Sequence, residues 1–307
     1  MNYIVYAADD NYAKQLSVSL YSLLKHNSDL DIYILDNGIS KKNKSIMKEL
    51  TESHGESISF IDITNIEELL PAKVDVNQLS LSTYARLFLT ELLPQKIDYI
   101  LYLDCDTYIN DRLDDLFSLD ISSYSVAGVE DTMYPSYKIG VGLNLTDRYI
   151  NAGILYINLK RWREKKLLAV FNDFIIKHKG KVPHLDQGVI NGTITDKYYL
   201  QLKYNVQSTV LSFKRYKDLL AFFSLEAFYS EEEIQYAKKS PVIIHYTSFF
   251  LQRPWLTFCL HPYKKLYINT AKEIFPDIRL QKSRIGIINK LKCILFKYLQ
   301  EIYLKLR

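Results

Sequence analysis

Cysteine is scarce. Cys105, Cys259 and Cys293 are the three in 307 residues, an odd number with no CxxC spacing. Such usage excludes a disulfide scaffold and a zinc ribbon and points to a reducing compartment. Glycine (10) and proline (8) are few as well, which removes collagen-like and low-complexity chains. No apolar run reaches the length of a membrane span, and Met1 to Asp9 lacks the basic start of a signal peptide and meets acid too early. Neither GxGxxG nor GxxxxGK[ST] occurs, so a nucleotide site would have to be built without those glycine-rich phosphate cradles. There is no internal repeat. What is present is core material: 48% hydrophobic and 13% aromatic residues, including 25 tyrosines, suffice for one large domain or two modest ones. The expectation is a soluble, cytosolic α/β chain.

A formal net charge of +4 is too small to argue for a nucleic-acid partner. Its distribution says more. From residue 279 onward, Arg279, Lys282, Arg284, Lys290, Lys292, Lys297, Lys305 and Arg307 face Glu301 alone, a net +7 that leaves residues 1–278 at −3. An acidic body with a basic tail reads as a catalytic domain over 1–278 and an attachment device over 279–307. Between Arg284 and Arg307 the apolar residues Ile288, Leu291, Leu295, Tyr298, Ile302 and Leu306 recur at three- and four-residue steps. Lys290, Lys297 and Arg307 fall elsewhere on the wheel. This pattern predicts a basic amphipathic helix on an anionic bilayer; a helix packed on the core, or on a second copy, is the alternative.

Strands are expected at Asn2–Ala8, Asp31–Leu35, Ser57–Ile63, Tyr99–Leu103, Ser125–Val129 and Ile150–Leu159. Helical spacing falls between them at Asn11–Leu24, Lys41–Leu50, Tyr84–Leu92 and Lys160–Lys177. Alternation with short connections predicts an α/β fold around a mainly parallel, doubly wound sheet.

The apolar strand Tyr99–Leu103 runs directly into Asp104-Cys105-Asp106. Carboxylates at i and i+2 of an extended chain face one side, here at the carboxyl end of a strand, where open α/β sheets hold ligands. They repel one another unless a cation sits between them. Oxygen ligation with room left for pyrophosphate suits Mg²⁺ or Mn²⁺. A bare DxD is usually a turn, but the buried strand before it favours a site. Elsewhere the residues leave two readings open. Asp9, Asn11 and Tyr12 could pair with and stack on a base, or Asp10 could cap the next helix with Tyr12 packed on it. Arg86 fits a snorkelling surface residue, Asp131 beside Glu130 a solvated strand end, and Asp186 an N-cap. His245, ending the apolar strand Pro241–Ile244, fits a structural histidine. Asn151 and Gly153 fit either a turn or a place where a sugar meets the backbone.

Several segments together resemble the family 8 glycosyltransferases, retaining enzymes of the GT-A fold, and in particular their bacterial lipopolysaccharide α-galactosyltransferase type. These are Tyr6 to Ala13, Thr83 to Leu87, Tyr102 to Asp106, Tyr149 to Gly153, Ile157 to Arg163, Leu185 to Gly188, and His245-Tyr246. The resemblance spans nearly the whole chain. It implies a hexosyltransferase that takes UDP-galactose or UDP-glucose and a lipid-linked or protein-linked surface glycan, whether lipopolysaccharide, capsule or glycoprotein glycan. It places Ala7, Asp9, Asn11 and Tyr12 in the uridine pocket and Arg86 on the donor sugar and the DxD. Asp104, Asp106 and His245 become ligands of Mn²⁺ or Mg²⁺, with Cys105 between the carboxylates. Asp131 lies at the junction of sugar and acceptor, with Asn151, Gly153 and Asp186 at the donor sugar and the Gln187 carbonyl beneath the anomeric carbon. An amide oxygen is too weak a base to be a comfortable nucleophile. Electrostatic support, with the acceptor attacking the face the phosphate leaves, is the favoured route.

Two departures stand out. Ser248 occupies the family's glycine position and Arg253 the position of its diphosphate-binding lysine, in a loop two residues longer; arginine still neutralises pyrophosphate. A membrane-bound tail suits a lipid-linked acceptor and a place on the inner face of the cell membrane. The competing class is a catalytically silent UDP-sugar-binding or scaffolding subunit, against which the intact Asp104, Asp106, His245 and Gln187 argue.

Overall fold

The computed structural model describes residues 1–74 and 81–306. Among the described residues there are ten strands: β1 (Asn2–Asp9), β2 (Leu30–Asn37), β3 (Ser57–Asp62), β4 (Tyr99–Leu103), β5 (Thr107–Ile109), β6 (Val126–Glu130), β7 (Ile150–Asn158), β8 (Lys197–Tyr199), β9 (Val206–Gln207) and β10 (Ile243–His245). Along β1, Ile4, Tyr6 and Ala8 enter one core while Val5 enters the other, the period-2 alternation of a strand covered on both faces.

Seven strands form the main sheet in the order β3-β2-β1-β4-β7-β6-β8. The first four are mutually parallel and β8 is parallel to β6, whereas β7 runs antiparallel to both neighbours. The sheet is mainly parallel, as the alternation predicted. β7 is buried at every one of its nine positions, so its direction leaves no trace in a hydrophobic pattern. Winding reverses between β1 and β4, which opens a crevice at their carboxyl ends. Asp9 ends β1 there, and Asp104 follows β4. At the far end of β6 the register shifts between Gly128 and Glu130, and such a bulge re-aims the chain just before Asp131.

A small second sheet, β5-β10-β9, stands beside the crevice. Hydroxyls from the helix Ala13–Leu24 fix it: Ser19 Oγ meets Thr107 Oγ1 at 2.8 Å, and Ser22 Oγ accepts from the Ile109 amide at 2.9 Å. Antiparallel pairing sets His245 opposite Thr107, one residue from Asp106.

Three helical expectations need correction. The helix expected over 160–177 is two, Leu159–Glu164 and Leu167–Lys177, with Lys166 left-handed at φ 51°. In a straight helix Trp162 and Phe171 would sit about 13 Å apart along the axis; the break brings their rings to 5.1 Å. The segment Leu81–Phe88 is a 3-10 helix, and only Leu89–Leu92 is α-helical. The tail is likewise two helices, Ile287–Tyr298 and Gln300–Leu306, broken at Leu299. Its inner side docks on the body. Phe296 is fully buried, stacked on Phe250 at 4.0 Å and edge-on to Phe213 at 5.2 Å. Gln300 donates to the Ser212 carbonyl (2.9 Å) and accepts from the Lys214 amide (2.8 Å), and Lys297 is held by the Leu260 carbonyl at 2.6 Å. The stripe Ile288, Leu291, Tyr298, Ile302 and Leu306 remains exposed on another side, while Leu295 is half-buried. Arg307 lies outside the described residues. Among those described, no helix is long and apolar enough to cross a membrane.

Candidate active site

Asp104, Asp106 and His245 converge so closely that one ligand atom from each lies within 4.8 Å of the others. His245 Nε2 is 3.1 Å from Asp106 Oδ1 and 3.9 Å from Asp104 Oδ2. The other ring nitrogen is fixed by Asn205, which the sequence did not mark. Asn205 Nδ2 donates to Asn151 Oδ1 at 2.9 Å, so Asn205 Oδ1 is the atom 3.1 Å from His245 Nδ1 and takes its proton. Nε2 is thereby turned, as an acceptor, toward the carboxylates, the outer-shell arrangement of a metal-bound histidine. Gly153 completes the cradle: a Cβ there would lie 2.3 Å from His245 Cε1 and 2.8 Å from Asp104 Oδ2. Two carboxylate oxygens and one imidazole nitrogen fit a divalent ion such as Mn²⁺. Burial opposes ionisation of Asp106, but without an ion a protonated His245, together with Arg253, outweighs it and holds its pKa at about 2.

Arg86 is not the surface residue its local pattern suggested. It is 4% exposed and bridges Asp104 Oδ1 (2.8 Å) and Asp186 Oδ2 (2.9 Å), with a further bond to the Ala152 carbonyl and its guanidinium 4.3 Å from the Tyr102 ring. Burial raises the Asp186 pKa to about 6 even against the Arg86 charge. Arg253 reaches Asp106 Oδ2 at 3.2 Å and donates to the Tyr12 hydroxyl at 2.7 Å. Its Nε is buried without a partner, a spare donor beside the DxD.

Asp104, Asp106, His245, Arg86 and Arg253 line a cleft of about 270 Å³ with Ala7, Asp9, Tyr12, Cys105, Asn151 and Ser248. Ala8, Ser82, Thr83, Tyr102 and Thr247 complete its wall without having been anticipated, whereas Gly153 and Asp186 are not part of that wall. Asp9, rather than Asp10, caps the turn after β1, accepting from the amides of Asn11 (3.0 Å) and Tyr12 (3.3 Å). Asp10 instead holds the Ser40 amide and the Asn43 side chain. Asn11 is exposed, outside the cleft wall. A larger cavity of about 620 Å³ lies near the β8 edge, where Glu130 is buried and paired with Arg148 at 2.6 Å rather than solvated. It contains none of the DxD residues, so the smaller cleft is where the chemistry gathers.

Behind the cleft, Gln187, Asp131 and Asn151 form one buried network. Gln187 Oε1 accepts from the Ala152 amide (2.9 Å) and Asn151 Nδ2 (3.3 Å), and its Nε2 donates to Asp131 Oδ2 (2.9 Å). Asn151 Nδ2 also donates to Asp131 Oδ2 at 2.9 Å. Both lone pairs of the Gln187 oxygen are thus engaged, which weakens it further as a nucleophile.

Residues 3–259 match the model of the Glycosyl transferase family 8. The chain is 28% identical to the General stress protein A of Bacillus subtilis over 277 residues, 87% of this chain and 92% of that protein. It is 26% identical to the lipopolysaccharide 1,2-glucosyltransferase of Escherichia coli over 277 residues, 86% of this chain and 75% of that one. The structure resembles that of galactosyltransferase LgtC, solved in complex with donor and acceptor sugar analogs, with a TM-score of 0.74 and 26% identity over 89% of this chain and 96% of the other.

Proposed function

The chain belongs to glycosyl transferase family 8 and is a glycosyltransferase of GT-A fold; on that premise we propose that it is a metal-dependent, retaining hexosyltransferase using UDP-galactose or UDP-glucose. The observation that carries this reading is the convergence of Asp104, Asp106 and His245 beside the half-buried Arg253, whose Nε is buried without a partner. Asp104, Asp106 and His245 would hold a divalent cation, which when bound would supply positive charge to the departing diphosphate. Arg253 adds a second cation with a donor to spare. At the β1 end of the cleft, the second carboxylate oxygen of Asp9 accepts the uracil imide proton, and Tyr12 offers its ring for stacking. Arg86 holds Asp186 and Asp104 in place around the donor sugar.

The acceptor hydroxyl attacks the anomeric carbon from the side the diphosphate leaves. Its oxygen forms the new bond as the bond to the diphosphate breaks, and its proton goes to the departing phosphate oxygen. Gln187 and Asp131 supply fixed negative dipole and charge to the oxocarbenium-like centre rather than a covalent bond. A surface glycan as acceptor is supported by the lipopolysaccharide glucosyltransferase among the relatives. The exposed Ile287, Ile288 and Leu291 beside Lys292 support peripheral attachment to an anionic membrane from the cytoplasmic side.

The test is calorimetry of UDP, GDP and ADP with Mn²⁺ present, followed by UDP release from UDP-galactose and UDP-glucose with simple sugar acceptors. Clear preference for UDP, and turnover of one donor, is expected. Equal affinity for the three nucleotides would remove the roles given to Asp9 and Tyr12; binding without turnover of any donor would favour the silent-subunit reading.

A further inference from the structure

His184 and Leu185 are consecutive non-glycine residues in the left-handed region, at φ 62° and 54°. That conformation is costly for both and persists only where the surroundings impose it. His184 remains exposed to solvent, but its Nδ1 is set against the Gln187 amide. His184 Nδ1 lies 3.0 Å from Gln187 Nε2 and 3.5 Å from the Tyr149 hydroxyl. The Gln187 amide has one possible orientation, because the Ala152 backbone N–H identifies the atom facing it as oxygen. Gln187 Nε2 is then a donor toward both Asp131 and His184, and His184 Nδ1 can only be an unprotonated acceptor.

We propose that neutral His184, carrying its proton on Nε2, is a positioning residue that locks the Gln187 amide in the orientation used for transfer. Protonating it disengages that lock. The inference rests on the role given to Gln187 above. Protonated His184 would set an N–H against the N–H of Gln187, so the amide must turn away from one of its partners. The groups facing the ring are Asp131 from the end of β6, Tyr149 from the start of β7, Tyr137 from the helix Pro135–Gly140 with rings 5.5 Å apart, and Gln187 with Asp186 on its own helix. Desolvation around the ring nitrogens lowers the His184 pKa below the ordinary 6.5 against the opposing charge of Asp131, although the residue as a whole stays exposed. The acceptor form is therefore present at neutral pH and lost as the pH falls through that lowered value.

Transfer measured from about pH 5 to about pH 8 in the wild type, His184→Ala and His184→Asn tests the proposal. Asn tolerates left-handed backbone, and its Oδ1 can stand near the Nδ1 position as an acceptor that does not titrate. Ala is expected to lower kcat about tenfold to a hundredfold, with UDP affinity unmoved. Asn should recover most of that loss and lack the wild-type inflection due to His184; any inflection from Asp186 stays in both. Nitrogen NMR of the His184 ring supplies a readout that needs no turnover: an unprotonated Nδ1 at neutral pH is expected. A folded Ala variant with wild-type kcat and pH profile, or a proton found on Nδ1 at neutral pH, overturns the proposal. Should the Ala variant fail to fold, the Asn profile and the NMR spectrum decide. A wild type that turns over no donor, yet shows the Nε2–H tautomer and a shift of the Gln187 amide protons on acidification, counts against the transferase reading and not against the lock.

Discussion

Gly153→Ala removes no ligand, charge or hydrogen bond, yet it should cripple metal binding. The added methyl would sit 2.3 Å from His245 Cε1 and 2.8 Å from Asp104 Oδ2. Carbon atoms pack at about 3.5–4.0 Å, so the imidazole must retreat by about 1 Å or more. It has little room to do so, because the ring is buried and its Nδ1 is held to Asn205 at 3.1 Å. Displacing one ligand and crowding a second should weaken Mn²⁺ binding about tenfold to a hundredfold, or about 1.4–2.8 kcal/mol. Overpacking β7 should cost about 1–3 kcal/mol of stability as well, less than a domain of this size usually has to lose. Mn²⁺ titration by calorimetry in the presence of UDP, alongside a thermal melt, separates the two effects. A folded variant with wild-type Mn²⁺ affinity and transfer rate would refute the claim that this glycine exists to admit the metal ligands.

Asp106→Asn should abolish Mn²⁺-dependent transfer while circular dichroism shows the fold retained; full activity in that variant, or in excess chelator, contradicts the metal assignment. Phe296→Ala should destabilise the protein by about 3–5 kcal/mol, because the ring is wholly buried in the cluster of Phe213, Phe249 and Phe250. Urea unfolding checks it, and a loss under 1 kcal/mol would mean that the tail is only loosely docked. Ile288→Asp combined with Leu291→Asp touches exposed positions, so the melting temperature should hold while sedimentation with anionic vesicles is lost. Salt should weaken wild-type vesicle binding only in part, since the apolar contribution is not screened; a double variant that still sediments places the contact elsewhere.

The tail realises both expectations for it, a helix with an exposed apolar stripe and a helix packed on the core. Periodicity in Ile288, Leu291, Tyr298, Ile302 and Leu306 is real and that stripe is exposed, but Cys293, Phe296 and Gln300 form a second buried side. A short hydrophobic pattern reports that a face exists and not how many faces find partners. Truncating the whole tail would therefore mix loss of membrane contact with loss of core, whereas the two exposed aspartate substitutions isolate the former.

The strand Tyr99–Leu103 running into Asp104-Cys105-Asp106 was determined by the sequence alone, because a period of two is a local property of the extended chain. So was the placement of Asp9 at the end of the first strand. The two carboxylates were expected on one side of an extended segment, but the chain turns there, with the Thr107 amide on the Asp104 carbonyl, and it is this turn that brings them together. His245, Arg86, Asp186 and Gln187 were named through resemblance, since nothing within a few residues of any of them specifies a partner. Only the tertiary structure decided that His245 stands 3.1 Å from an aspartate 139 residues earlier, and that Arg253 meets a tyrosine 241 residues away. Asn205 and His184, which orient the rest, sit in irregular or left-handed backbone and carry no periodic mark. Strand order and helix docking set these meetings, and both depend on which buried faces match across the whole chain rather than on any local preference.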